Sequence, residues 1–498
     1  MHYTSIENIH KVIDPLFLDE LKNELQKIRD IDVLTTRERR LREFQKKLAS
    51  LTFLDPACGS GNFLTETYLS MRRLENDVIQ ELQQGQVVFG DASRNPILVS
   101  IDQFYGIEIN DFAVTVAKTA LWIAESQMMK ETEEIVLTQL DFLPLKTNAS
   151  ILEGNALRMD WETVIPKGKL NYIMGNPPFV GARLMSAEQK SDVLTVFGSK
   201  WQNVGNLDYV SCWFKKSVDF MHNTESRSAL VSTNSISQGE SVANLWKPLF
   251  EAGIHFDFAH RTFRWDSEAN QKAHVHCVII GFSEASNSSP RLIFQSDRVQ
   301  TVENINGYLL DAPNIFVSSR SKPLCNVPSI GIGNKPIDGG NYLFTKEEMD
   351  AFIETEPNSA KYFHPWYGSH EFISRCPRYC LWLGECPPNE LIKMPECLKR
   401  VDAVRTMRLS SKSAGTVKLA AKPTRFHVEN MPEGTYIVIP EVSSERRRYI
   451  PIGFMTPDIL CSNLVKIIPN ATLYHLGVLT SNVHMAWMRA VAGRLKSD

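Results

Sequence analysis

Residues 51–63 read Leu51-Thr52-Phe53-Leu54-Asp55-Pro56-Ala57-Cys58-Gly59-Ser60-Gly61-Asn62-Phe63. A short apolar run ends in an aspartate, two glycines permit a tight turn, and a helical pattern runs from Phe63 to about Leu82. Bare glycine lets a ligand approach the backbone, and a helix start favours a carboxylate or phosphate. The third glycine of the dinucleotide fingerprint is missing, and so is the Lys-Ser/Thr of a phosphate-binding loop. The turn therefore suits another nucleotide-like ligand.

Working outward, the pattern repeats. Residues 6–50 read as helix, with Ile9, Val12, Ile13, Leu16, Phe17, Leu21, Leu25 and Ile28 recurring near a 3.6 period. Phe104-Tyr105-Gly106-Ile107 is a second strand, and 111–129 is helical behind the cap residues Asn110 and Asp111. Ile151-Leu152 opens a third strand and 170–174 a fourth, with further buried strands at 229–232 and 275–282. Strands alternating with long helices predict an α/β fold with a doubly wound, mostly parallel sheet, whose ligands sit beyond the carboxyl ends of the strands. The stretch 284–290 is small and polar and reads as a linker. Beyond it strands are expected at 436–440 and 449–452 and helices at 346–356 and 389–409, a mixed α+β region. The expected division is a helical segment 1–50, a main domain 51–285 and a second domain 291–498.

The loops after these strands carry the chemistry. Glu108 ends the second strand, where an acid can accept bonds from both hydroxyls of a ribose; the competing reading is a helix-capping acid. Ile109 beside it offers an apolar face for an adenine. Gly154-Asn155-Ala156-Leu157 follows the third strand, where contact with an adenine is expected, although by itself it would be only a turn. The fourth strand runs into Gly175-Asn176-Pro177-Pro178-Phe179. Two prolines block helix and ladder bonding and hold the preceding residue extended. That fixes the Asn176 side chain and the Pro177 carbonyl as two neutral acceptors. An amino group on a conjugated ring is a poor nucleophile because its lone pair is delocalised. Two acceptors binding its hydrogens pull the nitrogen toward tetrahedral geometry. A methyl sulfonium is reactive enough that positioning does most of the rest. Phe179 offers a face on which a base leaving the duplex can stack.

The net charge of −3 divides unevenly. Residues 291–498 hold 25 Lys/Arg against 20 Asp/Glu, leaving 29 against 37 in the first 290. The most basic run, 399–425, includes Lys399, Arg400, Arg405, Arg408 and Arg425. Such a surface attracts a phosphate backbone; the alternative is a solvated helix face. Nine cysteines without paired spacing do not form a disulfide framework, and the cluster Cys376, Cys380, Cys386 and Cys397 lacks zinc-knuckle spacing, so no metal is expected. No apolar run is long enough to span a bilayer and no signal peptide opens the chain, so a cytoplasmic location away from membranes is expected.

Together the two motifs resemble the gamma-class DNA adenine N6-methyltransferases, in which the cofactor motif precedes the catalytic one and a target-recognition region comes last. The resemblance is closer still to the type IIL, MmeI-like restriction–modification enzymes. It extends over His2-Tyr3-Thr4-Ser5, Pro15-Leu16-Phe17-Leu18, 53–64, 175–179, 275–282 and Ile439-Pro440-Glu441-Val442-Ser443-Ser444-Glu445-Arg446. It implies a class I S-adenosylmethionine-dependent fold, a C-terminal target-recognition domain and double-stranded DNA as partner. It also implies residue roles. Tyr3, Thr4 and Ser5 would line the methionine end of S-adenosylmethionine, and Asp55, Ala57, Gly59 and Gly61 would cradle it. Glu108 would hold the ribose, with Ile109 and Asn155 beside the adenine. Asn176, Pro177, Pro178 and Phe179 would hold the target base, with Phe263 or Trp265, just before the last strand, stacking from the other side unless it simply packs the core. Asn155 stands where many relatives carry Asp. Relatives also carry an N-terminal nuclease, so a separate or missing nuclease and a truncated chain are expected here. The only nuclease-like triplet, Glu20-Leu21-Lys22 with Asp14 upstream, is explained by helix periodicity. The alternatives are an inactive remnant that binds DNA or cofactor, and a methyltransferase for another amine or amide. Cytosine N4 is activated by the same chemistry, and the leading Asn only tilts toward adenine.

Overall fold

The computed structural model describes residues 4–83, 96–140, 149–265, 275–284, 290–444 and 446–493, with only the backbone of Trp265. Two compact units divide between Ser319 and Arg320, and Val491 rejoins the first.

The first unit opens with α1 (Ile6–Ile13), α2 (Asp19–Arg29) and α3 (Leu34–Ser50). The expected single helical run is interrupted twice. Asp14–Leu18 forms a π turn, where Pro15 supplies no N–H to the ladder, and residues 30–33 leave the helix. The apolar stripe is buried as its period requires, and Phe17 packs its ring 5.1 Å from Phe53 and 5.0 Å from Tyr172. Asp14 faces His10 at 2.8 Å and Glu20 faces Arg227 at 3.1 Å, so the carboxylate of the nuclease-like triplet and the one upstream of it are both engaged.

Then come β1 (Phe53–Asp55), α4 (Asn62–Gln83), β2 (Phe104–Glu108), α5 (Asp111–Val136), β3 (Ser150–Glu153), β4 (Tyr172–Gly175), α6 (Ala187–Phe197), α7 (Ser211–Met221) and β5 (Arg227–Thr233). These strands pair in parallel in the order β3-β2-β1-β4-β5. This is the expected doubly wound sheet. The chain winds from β1 outward to β3, then returns to lay β4 on the other side of β1. Loops leaving β1 and β4 diverge at that switch and open a crevice. Gly61 closes the first turn with φ +82°, and a Cβ there would lie 2.9 Å from the Cβ of Ala117 on α5. Gly61→Ala is expected to destabilise the unit by more than about 1 kcal/mol, read as a lower urea midpoint at unchanged slope.

Four strands extend the sheet: β6 (His255–Trp265), β7 (Val275–Ser283), β8 (Arg291–Gln295) and β9 (Arg298–Val302). β7 lies antiparallel between β5 and β6, and β8 pairs in parallel with β6 through Ala259↔Ile293. Phe263 and Trp265 precede β7, the strand expected at 275–282, and themselves belong to β6. One expectation is corrected: the sheet continues past the polar stretch 284–290, so the second unit begins near Arg320 rather than at 291.

The second unit holds β10 (Gly331–Ile332), β11 (Leu343–Phe344), β12 (Phe363–Tyr367), β13 (Arg378–Leu381), β14 (Tyr436–Pro440), β15 (Gly453–Met455), β16 (Leu460–Cys461) and β17 (Val465–Pro469). They form two four-stranded sheets, β10-β17-β14-β15 and β11-β13-β12-β16. The strand expected at 449–452 forms at Gly453–Met455 instead, just past Pro451, which has no N–H to give a ladder. The helix Pro395–Leu409 carries Arg408 into the core. There Arg408 donates to the carbonyls of Pro336, Ile337, Leu419, Lys422 and Arg425. Cys380 and Cys397 are buried in this unit, and among the described residues no group of three or more His, Cys, Asp or Glu is placed to hold a metal. No described helix is long and apolar enough to cross a membrane.

Candidate active site

A cleft of about 940 Å³ opens at the carboxyl ends of β1, β2, β3 and β4. Thr4, Asp55, Ala57, Gly59, Glu108, Ile109, Asn155, Ala156, Asn176, Pro177, Pro178 and Phe179 all line it. Residues from 4 to 179 in the chain thus meet at the one place that the sheet's winding order opens.

The glycine turn is braced from three sides. Asp55 Oδ1 accepts from the Ala57 N–H at 3.0 Å, and Glu108 Oε2 accepts from the Gly59 N–H at 2.9 Å. Trp213 Nε1 donates to the Pro56 carbonyl at 3.1 Å. The second oxygen of Glu108 takes the Asn110 N–H at 3.0 Å. The acid at the end of β2 is therefore both a cleft residue and the clamp of the turn. Asp55 is only 1% exposed. Burial pushes its carboxyl up to about 8, against the lowering pull of the Ala57 N–H, and Glu108 adds to the rise. The same side chain approaches the Asn-Pro-Pro loop, since a Cβ on Gly175 would lie 2.4 Å from Asp55 Oδ1. Only glycine fits at 175, and the cofactor-type turn and the Asn-Pro-Pro segment therefore share a contact.

At Asn176 the amide Nδ2 donates to Thr4 Oγ1 at 3.4 Å. Its Oδ1 is buried and has no hydrogen-bond partner among the described residues. Leaving a buried acceptor unmade costs roughly 1–3 kcal/mol, so the site holds an acceptor poised for an incoming N–H. Pro177 is buried, and half-buried Phe179 packs against both hydrophobic cores of the first unit, which fixes its ring at the cleft wall.

Sequence reasoning missed one wall. Arg158, Asp192, Tyr209 and Trp213 also line the cleft. Asp192, on α6, accepts from Asn155 Nδ2 at 3.2 Å, Arg158 Nε at 2.6 Å and Tyr209 Oη at 2.8 Å. Burial raises the Asp192 carboxyl, but these three donors outweigh it and hold the group below its ordinary range. A signal was available: Ser186 and Gln189 form a reciprocal capping box that starts α6 and sets Asp192 on its inward face.

Several expected residues fall elsewhere. Ser5 does not line the cleft; its carbonyl accepts from the N–H groups of Asn8 and Ile9 at the start of α1. Gly61 serves packing against α5 rather than the cleft. Phe263 does not line the cleft either; it packs on the core with Lys11 Nζ 5.2 Å from its ring centre. The backbone of Trp265 pairs with Val275, a cleft residue, but its side chain lies outside the described residues, as does all of Tyr3. In the second unit Lys399 pairs with Glu396 at 2.6 Å. Arg400 stacks on Phe344 and Phe352, and Arg425 is drawn to Glu429 and Trp382. Arg408 is wholly interior. Of the basic run Lys399, Arg405, Lys412, Lys418, Lys422 and Arg425 are exposed, and so are Arg446, Arg447 and Arg448 beyond it.

Comparison with known proteins places the chain. The model of the MmeI DNA-methyltransferase domain matches residues 31–295, and that of the MmeI target recognition domain matches 311–498. The chain is 42% identical over 501 residues to DNA methyltransferase A of Bacillus subtilis strain 168, covering 100% of this chain and 56% of that protein. It is similar, at 42% identity and TM-score 0.91, to the type IIL restriction–modification enzyme MmeI solved in complex with DNA, covering 100% of this chain and 66% of that one. This chain thus spans only part of the length of both relatives. It belongs to the MmeI family, with that family's methyltransferase domain followed by its target-recognition domain.

Proposed function

We propose that this chain is a DNA methyltransferase of a restriction–modification system that transfers a methyl group from S-adenosylmethionine to the N6 amino group of an adenine flipped out of the duplex. The observation that carries this reading is the buried Asn176 Oδ1, without a hydrogen-bond partner among the described residues, in the cleft that the glycine turn and Glu108 also line.

The residues fit the cofactor. Gly59 presents bare backbone with open space where a Cβ would be, and Glu108 offers a carboxylate at the ribose position of such sheets. Ile109, 69% exposed at the cleft, supplies an apolar face for an adenine. When bound, S-adenosylmethionine supplies a methyl group on a sulfonium, reactive enough that no strong base is needed. The chain's own work is on the acceptor. Asn176 Oδ1 and the Pro177 carbonyl bind the amino hydrogens and free the nitrogen lone pair. Phe179 stacks the base and positions it. Adenine rather than cytosine follows from the resemblance, since the acceptor chemistry serves both.

Double-stranded DNA is the acceptor polymer that a target-recognition domain implies. The exposed arginines are the groups available to its phosphates. Replacing Arg446, Arg447 and Arg448 with Ala is expected to weaken DNA binding and lower the salt slope by up to about 3, while Lys399→Ala, already ion-paired, changes it by less than about 1. Fluorescence titrations from 50 to 200 mM salt read both slopes.

The reading is tested by incubating the chain with labelled S-adenosylmethionine and unmethylated bacterial DNA, then separating the nucleosides. Labelled N6-methyladenine is the expected product. Label in N4-methylcytosine overturns the choice of base, and unlabelled DNA with the cofactor bound overturns the choice of acceptor.

A further inference from the structure

We propose that Asp208 is a positioning residue for methyl transfer, tying the segment just past Phe179 to the end of β5; the inference rests on the function proposed above. Asn176 and Phe179 must meet one ring together, yet they are fixed by different means. Asn176 follows β4 directly and two prolines follow it. Past Phe179 the chain leaves the sheet, and residues 180–182 belong to no helix or strand.

Asp208 supplies what the sheet does not. Its Oδ1 accepts from the Ala182 N–H at 2.9 Å, and beside it the Tyr209 N–H donates to the Val180 carbonyl at 2.9 Å. Its Oδ2 accepts from Ser235 Oγ at 2.5 Å, and Ser235 Oγ lies 2.6 Å from Thr233 Oγ1 at the end of β5. β5 pairs with β4 through Gly175↔Leu230, next to Asn176. One carboxylate thus bridges the loop that carries Phe179 and the strand beside Asn176. Its own footing is firm, since Leu207 and Val210 around it are fully buried. Asp208 does not line the cleft, so it acts through the loop and not on the substrate. A hydrogen bond to a charged acceptor is short and strong and fixes direction. Without it residues 180–182 can drift and carry Phe179 with them.

The test is steady-state methylation of unmethylated bacterial DNA by the full chain, with calorimetric binding of S-adenosylhomocysteine. Asp208→Ala is expected to lower kcat by about thirty- to a hundredfold, the scale of a 1 Å misplacement caused from outside the chemistry. KM for DNA and Kd for S-adenosylhomocysteine are expected to stay within about threefold of wild type. Asp208→Asn keeps an oxygen for the Ala182 N–H and turns an amide N–H toward Ser235 Oγ, so its kcat is expected within about fivefold of wild type. Ser235→Ala cuts one of the two ties and is expected to lower kcat by about fivefold to tenfold; it decides the matter should Asp208→Ala fail to fold. Wild-type kcat in Asp208→Ala or in Ser235→Ala overturns the inference. So does Asp208→Asn as slow as Asp208→Ala, which would make the charge and not the tie the cause. A loss shared equally by kcat, KM and Kd would mark a general defect of the fold and overturns it as well. A wild-type chain that transfers no methyl group to DNA overturns the function proposed above, and this inference with it.

Discussion

Asn176→Ala is expected to lower the rate of methyl transfer by about a thousandfold while S-adenosylmethionine binds within about threefold of wild type. The size follows from what the side chain supplies. Its Oδ1 is a buried acceptor with no partner among the described residues, and in the proposed function that capacity serves the substrate. Removing one preorganised group aimed at the reacting atom typically costs a hundred- to a thousandfold. Here a misplaced amine compounds the loss. The glycine turn on the cofactor side does not depend on this side chain. The glycine turn is held by Asp55, Glu108 and Trp213, none of which bonds Asn176. Single-turnover rates on a methylatable duplex, with calorimetry for the cofactor, separate the two effects. A rate within tenfold of wild type would remove Asn176 from the chemistry.

The second large effect is on stability. Arg72→Met is expected to cost about 3–5 kcal/mol, because it strands a buried carboxylate. Arg72 on α4 pairs with Glu75 one turn on, and both side chains are fully buried. Arg72 also donates to Thr132 Oγ1 at 2.7 Å on α5. Glu75 accepts from Gln45 Nε2 at 2.8 Å on α3 and from the Leu98 N–H at 2.6 Å. One ion pair thus ties three helices to the segment that leads into β2. At roughly 2–4 °C per kcal/mol for a unit of this size, the midpoint of thermal unfolding should drop by about 10 °C. Arg72→Met combined with Glu75→Gln should recover part of the loss, since the stranded charge is gone. A single variant that melts within 2 °C of wild type would show the pair to be dispensable.

The sheet and most of the cleft were legible because they are local. A strand that ends in Asp55 and a glycine turn, or in Asn176 and two prolines, announces itself within a dozen residues. What was missed is what the chain assembles over distance. β6 mixes His255, Asp257, His260 and Arg261 with its apolar residues, and two register shifts against β7 break its alternation. Asp192 looked like any helix acid until Asn155, Arg158 and Tyr209 converged on it. Arg408 looked like part of a basic surface, yet five backbone carbonyls claim it in the interior. Composition counts charges and is blind to which of them already have partners.

The contact of Asp55 with Gly175 has a consequence for cooperativity. The loops assigned to the cofactor and to the target base in the proposed function share one carboxyl, so a shift in either is expected to be felt by the other. Whatever factor the cofactor adds to the grip on the target, the target must add to the grip on the cofactor, because the two binding orders close a single thermodynamic cycle. Replacing Asp55 should change that shared factor in both directions at once, even where the intrinsic affinity for each ligand alone moves little.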